Sequence, residues 1–171
     1  MKIIMFMGVP GSNNLELAHF LQCKYPQSLI FDRDNVRKDY RNLPANSPII
    51  DFIFIQKIKG VIAENPTDVI IIVAPFVLKD SRERFFEAFA DNEFFGIWVE
   101  RSKEELLSIN STLIPSYQNT IEEIDYALKY KVSPTFDEPF SDITYITREI
   151  NTGMSRNKPY ITDIETALLR I

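Results

Sequence analysis

Two short stretches of the chain carry residue types and spacings that suit chemistry. The first is Gly8-Val9-Pro10-Gly11-Ser12-Asn13-Asn14-Leu15, which follows an apolar run at 3–7. A glycine-bearing turn between a strand and a helix gathers backbone N–H groups and the positive end of a helix dipole at one point, ready for phosphate. The phosphate-loop pattern G-x-x-x-x-G-K-[ST], laid on Gly8, requires Gly, Lys and Ser or Thr where the chain has Asn13, Asn14 and Leu15. The scaffold is present without its charge and its hydroxyl. In the complete pattern the lysine is a point charge on the terminal phosphates and the hydroxyl ligates Mg²⁺. One charge pair at contact distance is worth about 4 kcal/mol at an effective dielectric of about 20. The next cation, Lys24, lies roughly 15 Å farther along the helix, so a replacement has to come from elsewhere in the fold. The plain alternative is that 8–12 is a strand-to-helix turn and nothing more. The second stretch is Asp32-Arg33-Asp34-Asn35-Val36-Arg37-Lys38, where charge clusters at the C-terminal end of a short strand. In open α/β sheets ligands bind at that edge.

The elements that must position these residues follow from periodicity. Residues 2–7 read as a buried strand and 14–24 as a helix, with Leu15, Ala18 and Leu21 at helical spacing and Pro26 as its stop. Further strands are expected at 28–31, 68–74, 94–99 and 142–147. Helices are expected at 48–64 and 79–91, from the Ser-x-x-Glu capping box at 102–105, and at 118–130. Residues 43–48 and 150–160 read as loops, the latter with Gly153 and Pro159, and 161–170 as a closing helix. Strands alternating with helices predict an α/β domain with a five-stranded parallel sheet and helices on both faces.

Composition narrows the classes. One domain is expected for 171 residues, and 45% hydrophobic with 25% charged residues is ordinary for a globular chain. A net charge of −5 argues against non-specific nucleic-acid binding through a basic surface and leaves a local basic cleft open. The lone Cys23 excludes an internal disulfide and is expected as a buried structural thiol of the first helix. The lone His19 has no metal-ligand spacing around it and reads as structural or surface; no metal site is expected. The apolar run at the start is too short for a secretory signal, and 69–78 is too short for a membrane span and contains Pro75. No membrane association and a cytoplasmic location are expected. Thirteen Phe and seven Tyr mean either a partner surface or a bulky core.

Several segments together resemble the P-loop kinases of the polynucleotide kinase type, including the phage enzymes that phosphorylate 5′-hydroxyl ends. The resemblance rests on 8–12 for the nucleotide loop and on 31–37 for an Arg-Asp-Asp-x-x-Arg-like acceptor segment. It continues through Val73-Ala74-Pro75-Phe76-Val77 with the helix at 79–84, and through 100–110 leading into a lid at about 101–120. It closes on 134–146 as the run into the last strand. It spans nearly the whole chain and implies a single P-loop kinase-like, three-layer domain over 1–171. It also implies roles. Asp34 stands at the general-base position and Arg37 where a substrate phosphate is held. Asp32, Arg33, Arg82 and Asn110 stand on the substrate side, and Gly8, Val9, Pro10, Gly11, Ser12, Asn13 and Asn14 form the phosphate loop. Each has a plain rival: Asp34 as a helix N-cap, the three arginines as surface ion-pair partners, Asn110 as a helix-end residue, and 100–105 as a solvated face.

The departures from the pattern fall on the donor side. Asn14 and Leu15 replace the P-loop Lys and Ser/Thr, Val73 and Phe76 replace the third-strand Asp and Asn, and Ile109 and Leu113 stand at the lid arginines. Phosphoryl transfer is mostly charge stabilisation. The resemblance therefore implies a degenerate kinase without ordinary ATP phosphotransfer, with ATP and Mg²⁺ doubtful, that binds a nucleotide, a nucleic-acid end or a protein partner. Two alternatives stay open. One is an active ATP-dependent kinase whose donor site is rearranged around Asn14 and a distant Lys or Arg. The other is a structural or regulatory module that binds no nucleotide and uses its aromatics as a patch or homo-oligomer interface.

Overall fold

The computed structural model describes residues 1–12 and 14–146. Asn13, Thr147, the loop expected at 150–160 and the helix expected at 161–170 lie outside the described residues. Five strands, β1 (Lys2–Gly8), β2 (Leu29–Asp32), β3 (Val69–Val73), β4 (Glu93–Val99) and β5 (Phe140–Ile146), form one sheet in the order β2-β3-β1-β4-β5. Every neighbouring pair is parallel, which requires the crossover helices that the alternating pattern predicts. These are α1 (Asn14–Gln22), α2 (Asp34–Arg37), α3 (Pro48–Glu64), α4 (Lys79–Ala88), α5 (Lys103–Asn110) and α6 (Ile121–Tyr130).

Strand side chains alternate between faces, so a continuous apolar run serves two cores at once. Ile3, Met5 and Met7 pack with residues of α3, α4, α5 and α6, whereas Ile4 and Phe6 pack with Leu17, Ala18 and Leu21 of α1. The three-layer α/β architecture expected from the sequence is the one observed. The phenylalanine excess is mostly core: Phe6, Phe54, Phe76, Phe85, Phe86, Phe89, Phe94, Phe95 and Phe140 are buried. Phe86 meets both Phe94 and Phe140 edge-on at 4.9 Å. Among the described residues no helix is long and apolar enough to cross a membrane.

Several boundaries move for identifiable reasons. The first helix ends at Gln22 rather than 24, because the approach to Pro26 tightens into turns from Cys23, Lys24 and Tyr25 back to Phe20, Leu21 and Gln22. Cys23, expected to be buried, is exposed just past that end; His19 is exposed as well. The fourth helix, α4, stops at Ala88 rather than 91, because Phe89 leaves helical geometry and stacks its buried ring 6.2 Å from Phe85. The sixth helix starts at Ile121 rather than 118, where Thr120 and Glu123 form a capping box. The expected box of Ser102 and Glu105 is present.

Arg82 is no surface residue. It is fully buried, and its Nε and Nη2 donate to the two carboxylate oxygens of Glu138 at 2.7 and 2.8 Å. Its Nη1 donates to the carbonyls of Phe76 and Val132 at 2.8 and 2.9 Å. Four of five donors are thereby committed, and the side chain ties α4 to the segment that enters β5 and to the segment after β3. Removing one partner strands the other charge in the core. Arg82→Ala is expected to lose about 3–5 kcal/mol of stability, and Arg82→Met combined with Glu138→Leu to regain most of it. Chemical denaturation of the three proteins checks this.

Candidate functional site

The loop after β1 closes on very little space. A Cβ on Gly8 would stand 2.5 Å from the Val99 carbonyl oxygen, so only glycine lets β1 end against β4. The Gly8 N–H donates to the Pro75 carbonyl at 2.9 Å, joining the ends of β1 and β3. Gly11 holds φ +91°, a left-handed conformation suited to glycine. The Ser12 N–H and hydroxyl both donate to the Val9 carbonyl, which closes the loop on itself. Arg101, expected on a solvated face, is buried beneath the loop and donates its Nε to the Ser12 carbonyl at 2.9 Å. Asn14 opens α1 with only 8% of its surface exposed, and its Oδ1 has no hydrogen-bond partner among the described residues. A cleft of about 400 Å³ lies over the loop, and Asn14 and Leu15 line it with Gly8, Val9, Pro10, Gly11 and Ser12.

Two acidic residues share this lining. Asp32 ends β2 in register with Val73, and its Oδ1 accepts from the Asp34 N–H at 3.0 Å. Asp32 thus closes a turn at the entrance to α2, whose N-cap position is Arg33 without a side-chain cap bond. Asp34, for which an N-cap role stood as the alternative, makes no cap hydrogen bond: it is the first residue inside the helix, after Arg33. Both aspartates are half-buried and line the cleft. Burial, and then the neighbouring Asp34 charge, push the Asp32 carboxyl up to about 7, against the Asp34 N–H and Lys38. Burial likewise raises the Asp34 carboxyl, with Glu123 adding to it and Arg37, Arg33 and Arg41 opposing.

The nearby arginines serve other partners. Arg33 is buried, with Nε on Asp51 Oδ1 at 2.7 Å and Nη1 on the Ala45 carbonyl at 2.9 Å. Asp51 also accepts from Ser81 and Arg84. Arg37, expected to hold a substrate phosphate, gives Nη1 to Asn119 Oδ1 at 3.1 Å and Nη2 to Glu123. Arg41 donates to the carbonyls of Ser116 and Gln118. Arg82 faces Glu138, away from the cleft lining, so the expected substrate contact is replaced by a structural one. Asn110, at the last turn of α5, is a clamp for the next loop: its Nδ2 donates to the Asn119 carbonyl at 2.9 Å and its Oδ1 accepts from the Asn119 N–H at 2.8 Å. Residues 112–114 and Tyr117 of that loop also line the cleft. Tyr117 donates to Asn35 Oδ1 at 2.6 Å, so the segment after β2 latches onto the loop at several points.

A second, apolar cleft of about 360 Å³ adjoins the first across Pro10 and Pro75 and is walled by Phe76, Val77, Leu78 and Ala127. Phe76 holds φ +46°, an uncommon conformation for a bulky residue; the Arg82 contact to its carbonyl fixes it there. Sequence reasoning missed Asp51, Arg101, Asn119, Glu123 and Glu138. Two of them left a signal: Thr120-x-x-Glu123 is a capping box, and Asp51 interrupts the apolar face of Ile50, Phe54, Ile55 and Ile58. Among the described residues no group of three or more His, Cys, Asp or Glu could hold a metal ion.

No family model matches the sequence, and no curated protein matches it either. Solved structures match in shape. The chain is similar to a gluconokinase from Sinorhizobium meliloti 1021, at 13% identity and a TM-score of 0.65, over 99% of this chain and 92% of that one. It is similar to a fungal RNA kinase at 13% identity and a TM-score of 0.66, over 99% and 84% of the two chains. It is also similar to the Mycobacterium tuberculosis APS kinase CysC, solved with AMPPNP and APS, at 16% identity and a TM-score of 0.57, over 98% and 97%. The fold is that of the P-loop kinases. At these identities the likeness concerns the path of the chain, and the side chains around the P-loop are this protein's own.

Two measurements probe the site. Both aspartyl groups hold protons more readily in the folded protein than in the unfolded chain. The folded state therefore binds more protons and loses stability as pH rises; for Asp32 the window runs from about 4 to about 7. Asp32→Asn is expected to flatten this slope in melting temperature against pH, since the amide oxygen can still accept from the Asp34 N–H. In Asn110→Ala both ties to Asn119 are lost, and amide exchange across 111–119 is expected to accelerate roughly tenfold while that of the central strands stays unchanged.

Proposed function

We propose that this protein is a degenerate member of the P-loop kinases, nearest in pattern to the polynucleotide kinase type, that lacks ordinary Mg-ATP phosphotransfer and binds a ligand in the cleft over its P-loop. The observation that carries this reading is the charge of that cleft: among its described lining residues there is no Lys or Arg, and there are two aspartates. A missing contact charge at about 4 kcal/mol corresponds to roughly a thousandfold in affinity for a polyphosphate. Leu15 offers no hydroxyl to Mg²⁺ where the loop pattern carries one, and Asn14 offers no charge where it carries lysine. The cation set of an ordinary Mg-ATP site is therefore incomplete in the residues present.

On this reading the chain is one cytoplasmic domain with its lid at about 101–120, held down by Asn110 and by Arg37, Arg41 and Tyr117. The ligand classes are a nucleotide, a nucleic-acid end or a protein partner. The RNA kinase among the structural neighbours supports the nucleic-acid end. Arg37 joins the site only if Glu123 and Asn119 release it. A second reading, an active kinase with a rebuilt donor site, is favoured by one observation: Asn14, in the first turn of α1, lines the cleft.

Calorimetric titration of ATP with and without Mg²⁺, paired with a phosphorylation assay on a 5′-hydroxyl oligonucleotide, separates the two. No heat at millimolar ATP and no transfer are expected. Micromolar, Mg²⁺-dependent binding with transfer that Asp34→Ala abolishes would overturn the proposal in favour of the active kinase.

A further inference from the structure

Asp34 is a cleft carboxylate without a partner among the described residues. Among the described residues its side chain makes no hydrogen bond, and no ion pair within 4 Å joins it to Arg33, Arg37 or Arg41, each of which is turned to another acceptor. Asp32 lines the same cleft, and among the described residues its carboxylate accepts only the Asp34 N–H. A third acceptor, Asn14 Oδ1, belongs to a side chain more than nine-tenths buried that lines the cleft and is likewise unpartnered among the described residues. Most of the remaining lining is apolar, with Leu15, Val73, Leu113 and Ile114 beside the Tyr117 ring, and Ser12, Thr112 and Asn119 are its other polar side chains. That ring already carries a cation from outside, the Lys38 ammonium 5.5 Å from its centroid.

We propose that this cleft takes an organic cation, a guanidinium or primary ammonium on an apolar stem, with Asp34 and Asp32 as its counter-ions, in place of the polyphosphate that a loop of this shape commonly holds. The inference rests on the reading of the P-loop as lacking its charge, and it narrows the ligand class that reading leaves open. A guanidinium matches a carboxylate by two parallel hydrogen bonds. Its methylene stem lies along apolar surface at no cost in hydration of the charged head. A phosphate in the same position would face two like charges. Such a cation comes either as a free diamine or as an Arg or Lys side chain of a protein partner.

A bound cation favours the ionised carboxylates, so its affinity rises with pH through the range in which they lose their protons. The groups facing them are Asp34 and Lys38 toward Asp32, and Arg33, Arg37, Arg41 and Glu123 toward Asp34. None of the opposing cations pairs with either carboxylate within 4 Å.

The test is calorimetry on the full chain with three probes: agmatine, a blocked Gly-Arg-Gly peptide, and Mg-ATP. Saturable binding of agmatine or the peptide is expected, at least about tenfold tighter at pH 8 than at pH 5.5, and weakened at least about tenfold by Asp34→Asn. Tighter agmatine binding identifies a free metabolite as the source, and tighter peptide binding a partner's side chain. Absence of heat with both cations, or binding that neither Asp34→Asn nor pH changes, overturns the inference. The pH series on the unaltered protein decides the matter if Asp34→Asn does not fold. Micromolar Mg-ATP binding would instead overturn the underlying reading of the P-loop, so the two failures are distinct.

Discussion

A guanidinium taken out of water needs a carboxylate, and three such pairs organise the C-terminal edge of this sheet. Arg33 with Asp51, Arg37 with Glu123 and Arg82 with Glu138 each join segments far apart in the chain. Each arginine is at most 3% exposed. At such burial an unmatched charge costs several kcal/mol, so the pairs act as obligatory joints. Arg33 binds the start of α2 to α3, Arg37 binds α2 to the head of α6, and Arg82 binds α4 to the approach to β5. The backbone around the cleft takes its shape from these joints together with the close approach of Gly8 to β4.

The same joints determine what the cleft can attract. Arginines at the end of β2 and on α4 look, in sequence, like a cationic rim for phosphate. Once folded they are neutralised within the protein, and Asp32 and Asp34 are left as the charged groups on the cleft wall. Burial then pushes both carboxyls upward. In the loop after β1, Gly8 and Gly11 keep the turn, while the Ser12 hydroxyl and Arg101 hold it closed.

Apolar periodicity by itself determined the order and type of the elements, because burying both faces of a parallel sheet leaves little freedom in where strands and helices fall. Gly8 and Pro26 marked their ends, and Ser102-x-x-Glu105 announced a helix start through purely local hydrogen bonding. The departure of Asn14 and Leu15 from the phosphate-loop pattern was equally plain, since a motif is a local pattern. The fate of the charges was not. Arg37 bonds to residues 82 and 86 positions away, and Arg82 to one 56 positions away. No local pattern distinguishes such a guanidinium from one that waits for substrate. Arg101 read as surface because charged neighbours surround it in sequence, yet the end of β4 carries it under the loop. Pairing over such distances is a property of the closed fold, and it left Asp32 and Asp34, rather than the arginines beside them, on the cleft lining.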